Sequence, residues 1–155
     1  MKLGIAFIVL STIFYSCKST LKKEASTKTI IPLKGTWKLL YGITIEKGDS
    51  TLTDYTKDKE FIKIINDTHF AFLSHDRNKG KDSAAAFSSG GGTYLLADSL
   101  YTEHLQYCSD RQWEGNSFEF TVTISGDTLI QKGIEKIANI GVDRINIEKY
   151  IKAKN

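Results

Sequence analysis

The 155-residue chain has two cysteines, one proline and three histidines, and each scarcity removes a class of protein. A small disulfide-stapled domain needs more than one pair of thiols. The three histidines and two cysteines form no closely spaced ligand set, so nothing in the spacing suggests zinc. His104 and Cys108 share one face of a strand, but i and i+4 there stand roughly 13 Å apart, too far to grip one ion together. The 21 basic and 18 acidic residues leave a formal charge of +3, spread along most of the chain. No footprint of a nucleic-acid binder results. No G-x-S-x-G elbow is present, and the glycines of "SSGGG" (88–92) lead into a strand, where a phosphate loop would open a helix. Catalytic residues, a cofactor and a metal are therefore not expected.

What is present begins with the N-terminus. Met1-Lys2 followed by "LGIAFIVLSTIF" has the charge and apolar run of a signal peptide, and is shorter than the roughly 20 residues that span a bilayer. "FYSC" (14–17) resembles a bacterial lipobox, in which a small residue precedes a cysteine that becomes lipid-modified and N-terminal. This implies that residues 1–16 are removed and that Cys17 is an anchor, which leaves Cys108 without a disulfide partner. Lys18 stands where aspartate would resemble an inner-membrane retention signal. The expected location is thus the outer membrane of a Gram-negative cell, facing the periplasm or the cell surface. Residues 17–32, rich in Lys, Ser and Thr and holding the only proline, form the lipidated cysteine and its tether. A single domain follows over 33–155.

That domain alternates and turns. Trp37, Leu39, Tyr41, Ile43 and Ile45 fall on one side of a long first strand. "EFIKIIN" and "HFAFLSH" form a hairpin around "NDT", "GGGTYLLADSLYTEHLQYC" two strands joined near Asp98, and "SFEFTVTISGDTLIQKG" a hairpin turning at Ser125-Gly126-Asp127. "IEKIANIG" is either a helical turn or a loop, and "DRINIEKYI" is the last strand. About eight antiparallel strands predict an all-β, single barrel, whose lumen is either filled or holds one small ligand.

Gly35-Thr36-Trp37 resembles the G-x-W motif of lipocalins, and residues 33–152, with "SGGGTYLL", "YTEHLQY", "GDTLIQKG" and "IEKYIK", resemble small lipocalin-like lipoproteins of Gram-negative bacteria. The resemblance implies that Trp37 closes one end of the barrel beneath a basic residue of the last strand. Arg144 and Lys152 both qualify for that part.

Alternation makes Tyr41, Phe70, Phe72, Tyr94, Tyr101, Glu103, Tyr107, Phe118 and Phe120 the candidate ligand-binding residues. Aromatic rings with a few polar groups suit a small hydrophobic or amphipathic molecule. Glu103 is the sharpest of them, since a buried carboxylate must be paired, hydrogen-bonded or protonated; Arg144, a tyrosine hydroxyl or Glu148 could supply the partner. Tyr55, Phe87 and Trp113, on long loops, are expected to rim an entrance. Two rivals to a ligand carrier are a filled barrel that serves as a protein-interaction module and an enzyme working through Glu103. The oligomeric state is not legible.

Overall fold

A computed structural model describes residues 31–154. The expected signal peptide, Cys17 and most of the expected tether lie outside the described residues.

Nine strands run in sequence: β1 (Gly35–Glu46), β2 (Asp49–Asp54), β3 (Lys59–Ile65), β4 (His69–Asp76), β5 (Phe87–Ala97), β6 (Leu100–Cys108), β7 (Ser117–Ser125), β8 (Thr128–Ile137) and β9 (Val142–Lys152). From β3 to β9 each pairs antiparallel with the next, and β1 closes the ring by pairing with both β3 and β9. The result is a closed, eight-stranded antiparallel barrel with β2 as an extra strand. Closure removes the unpaired edges that an open sheet would expose. β2 lies within "EKGDSTLTDYTKDK", where the composition suggests only a loop. It folds back on the far half of β1 through Lys47-Gly48, both at positive φ as a two-residue type I′ hairpin requires.

The predicted turns follow the same local chemistry. In "NDT", the Asn66 side chain accepts hydrogen bonds from the amides of Thr68 and His69 at 2.9 and 2.7 Å. Gly126 at the β7–β8 turn and Asp98 at the β5–β6 turn take positive φ. "IEKIANIG" resolves into the end of β8 and a single 3-10 turn over Ala138–Ile140.

Two β-bulges change which residues face inward. On β1 the register to β9 slips between Leu39 and Tyr41. Trp37 and Leu39 point into the core, Leu40 is the extra residue, and beyond it Gly42 and Thr44 face the lumen. On β6 the slip opposite Gly91–Gly92 makes Gln106 the extra residue. Tyr101, Glu103 and Leu105 point inward, as does Cys108 on the far side of the bulge. Strict alternation therefore fails for Tyr41 and Tyr107. Tyr41 lies outside under the Lys149 ammonium, and Tyr107 is 70% exposed. His104 and Cys108, expected on one face, end on opposite ones, with His104 bonded to Ser117 on the outside.

The glycines of "SSGGG" acquire a packing role. Gly90 pairs with Phe72, and a Cβ at Gly90 would come within 2.5 Å of that ring. At Gly92 a Cβ would run into the backbone carbonyl of His104 beside the bulge. Neither position has room for another residue.

One end of the barrel is sealed. Trp37 is buried, its indole N–H donates to the Leu33 carbonyl at 2.8 Å, and Leu33, Ile65, Phe70 and Leu129 fill in around it. Lys152, paired with Trp37 across β1 and β9, holds its ammonium 4.6 Å from the indole centroid and donates to the Lys34 carbonyl at 2.7 Å. Lys152 is thus the base of the closed end, and Arg144 is not. Gly35, at φ +135°, lies against this lysine stem, where a Cβ would approach within 2.8 Å.

Candidate functional site

The other end is open, and behind it lies a cavity of about 440 Å³. That is within the range of small-molecule sites. Its floor is a buried lysine. Lys63, on β3 with Phe61 and Ile65, is 3% exposed and donates to Glu103 Oε1 at 2.6 Å and to Gln131 Oε1 at 3.0 Å. The rings of Phe70, Tyr101 and Tyr150 lie 5.6, 5.8 and 5.6 Å from its ammonium. Cation–π attraction and a charge-assisted hydrogen bond together offset the loss of water around the two charges. Burial pushes the Glu103 carboxyl above its usual range, and the charge of Lys63 pulls it back. The Tyr101 hydroxyl, fully buried, lies near Glu103 and meets no hydrogen-bond geometry with any described residue. Burial, reinforced by the Glu103 charge, holds its phenol far above the ordinary value.

The partner of Glu103 is therefore Lys63, and neither Arg144 nor Glu148 takes that place. Sequence reading passes over Lys63 because "EFIKIIN" carries apolar residues on both faces, and a lone lysine in a short strand suggests solvent. The available signal was its i±2 neighbours, Phe61 and Ile65. Gln131, only 2% exposed, is hidden in "GDTLIQKG" for the same reason.

Higher on the wall, Arg144 Nε donates to Glu135 at 2.6 Å and Asn146 donates to the other oxygen of that carboxylate at 2.9 Å. The Arg144 guanidinium also stacks 5.1 Å from Trp113. Trp113 sits on a 3-10 turn (Arg111–Trp113) whose Asp110 cap accepts from the Gln112 amide, and it packs on Phe118 at 5.8 Å. Opposite stand Tyr55, Phe61 and Phe72, with Phe61 stacked on Phe72 at 5.7 Å and meeting Tyr55 edge-on at 5.8 Å. On β9 between these groups, Glu148 accepts from the buried Tyr150 hydroxyl at 2.7 Å.

Of the nine candidate ligand-binding residues, Phe72, Glu103, Phe118 and Phe120 line the cavity. Phe70 and Tyr101 are buried behind Lys63 and contribute its aromatic cage. Tyr94 belongs to the closed half, with its ring 5.2 Å from Tyr101 and its hydroxyl bonded to the Asn66 carbonyl. Tyr41 and Tyr107 are outside, by the bulges. Of the three expected rim residues, Tyr55 and Trp113 line the opening, whereas Phe87 is exposed beside the β4–β5 loop and does not. Among the described residues no group of three or more His, Cys, Asp or Glu side chains is placed to hold a metal.

No protein-family model and no curated protein matches this sequence.

Proposed function

We propose that this is a lipid-anchored protein of the cell envelope, related to lipocalins, that carries or senses a small amphipathic molecule in its barrel lumen. The observation that carries the reading is the 440 Å³ cavity, closed behind and open in front, with aromatic rings on one wall and buried, oriented polar groups on the other. Apolar burial at about 25 cal/mol per Å² would supply most of the affinity. The Lys63–Glu103–Gln131 floor and the Glu135–Arg144–Asn146 cluster would supply selectivity. Such a lumen suits an amphipathic ligand better than a fully apolar one, because a hydrocarbon would strip water from these groups and return nothing. The filled-barrel alternative draws less support, since the side chains leave the lumen unfilled.

Native mass spectrometry of the protein purified from its own host tests the lumen. A reproducibly bound small molecule supports a carrier; a protein that stays empty after incubation with envelope lipids and metabolites turns the search to its surface. Intact-mass measurement of membrane-derived protein tests the anchor, where an unmodified Cys17 removes it.

A further inference from the structure

The charges around the cavity do not balance. It is lined by two bases, Lys63 and Arg144, and by four acids, Glu103, Glu135, Glu148 and, at the rim, Asp110. Each base already has an acid within 2.6 Å: Lys63 has Glu103 and Arg144 has Glu135. Asp110 caps the 3-10 turn. Glu148 is left over. Among the described residues no lysine, arginine or histidine pairs with it, and it accepts one hydrogen bond, from Tyr150.

A second feature is independent of that count. Glu103 and Gln131, 7% and 2% exposed, both line the cavity, and each has a polar atom with no partner among the described residues: Oε2 of Glu103 and Nε2 of Gln131. Among the described residues the one fully buried side-chain polar atom without a partner is the Tyr101 hydroxyl, so these two atoms open onto the cavity, where they are free to bond an occupant. Beside Glu148 the β1 residue is Gly42, which has no side chain of its own and leaves room for a ring from elsewhere. Tyr55 approaches there, 3.6 Å from where a Gly42 Cβ would stand, and continues into Phe61 and Phe72. An anionic group beside an aromatic wall attracts a cation twice, through the charge and through the ring faces. The protein already uses this combination for its own Lys63.

We infer that the lumen takes a small organic cation, a protonated amine on a compact apolar body, with Glu148 as its counterion and the Tyr55–Phe61–Phe72 rings as its wall. Glu103 Oε2 accepts a further N–H or O–H of the ligand, and Gln131 Nε2 donates to an oxygen where the ligand has one. This rests on the carrier reading and narrows it to one sign of charge.

The test is calorimetric titration of the full chain with three probes of one shape: 2-phenylethylamine, 2-phenylethanol and phenylacetate. The amine is expected to bind at least tenfold more tightly than either of the others. In Glu148→Gln, which keeps an acceptor for Tyr150, amine affinity should fall at least tenfold while that of the alcohol stays within twofold. Tyr55→Leu, at a partly exposed position, should weaken the amine more than the alcohol and guards against a folding defect in the first variant. Equal binding of all three probes, or a preference for phenylacetate, overturns the cation and leaves the carrier standing. An amine affinity unchanged in Glu148→Gln overturns the counterion. Failure of all three probes to bind at millimolar concentration overturns this inference, while the carrier reading stands or falls separately on the native mass measurement.

Discussion

The two ends of the barrel are built from the same parts and put to different use. Each has a tryptophan under a basic side chain of β9: Lys152 over Trp37 at the closed end, Arg144 over Trp113 at the open one. At the closed end the ring is 1% exposed, its N–H is satisfied by Leu33, and apolar residues surround it. At the open end the ring is half-buried on a one-turn helix, and the base above it is tied to Glu135 in the lumen. The comparison teaches that an aromatic–cation pair has no fixed role. Packed on all sides it is a plug, and with one side left open it becomes the frame of an entrance.

The largest way to break the comparison is Trp37→Ala. Truncating a fully buried aromatic costs about 3–5 kcal/mol. Urea unfolding should show a loss of that size, and a loss under 1 kcal/mol would mean that the closed end is not the plug described.

Next comes the lysine between the two ends. Lys63→Met leaves Glu103 buried without its cation, a change that costs about 3–5 kcal/mol in comparable pairs. The sign of the pH dependence follows from Glu103. Its folded pKa is already above the unfolded value and rises further without Lys63, so the variant is most stable when the carboxyl is protonated. The deficit against wild type should therefore shrink as pH falls from 7 toward 4.5. Thermal melts across that range would check it, and a deficit independent of pH would show that Lys63 contributes packing alone. The double variant Lys63→Met, Glu103→Leu should recover most of the loss.

Trp113→Ala is expected to cost much less than Trp37→Ala, about 1 kcal/mol, because the ring is only half-buried. Its larger effect should be on access, measured as faster exchange of a lumen-bound probe. Equal stability losses for the two tryptophans would erase the contrast between the ends.

The smallest effect is at the Tyr55 loop. Asp54 accepts from the Thr56 hydroxyl and amide at 2.6 and 2.8 Å and lies 3.2 Å from Lys57. The Thr56 hydroxyl, the Thr56 amide and Lys57 lower its pKa from 3.8 to about 2. What this turn contributes is present above pH 3.8 and is lost as pH falls through 2. An NMR titration should place the Asp54 midpoint near 2, and a midpoint near 4 would mean that the loop carrying Tyr55 is not held this way.

Much of this was legible in the sequence because it is local. Alternation has a period of two residues, and turns such as Asn66-Asp67-Thr68 and Gly126-Asp127 are specified by residues that satisfy or relax their own backbone. Hence the barrel, its hairpins, Trp37, and the inward set Phe72, Glu103, Phe118 and Phe120 could be read from spacing. Three things could not. β2 is apolar on neither side and exists as a strand by pairing with β1. The bulges at Leu40 and Gln106 depend on the registers of β1 with β9 and β6 with β5, so the facing of Tyr41 and Tyr107 was decided by strands far away in the chain. The choice between Lys152 and Arg144 likewise needed to know which end of β9 lies beside Trp37.

The candidate site divides the same way. Sequence by itself determined that Glu103 would be buried and would need a partner, because its strand neighbours are apolar and a carboxylate cannot be left alone in a core. Only the tertiary structure decided that the partner is Lys63, 40 residues away, and that Glu148 stays without a cation among the described residues. Period and turn chemistry act over a few residues, whereas charge pairing acts across whatever distance barrel closure brings together.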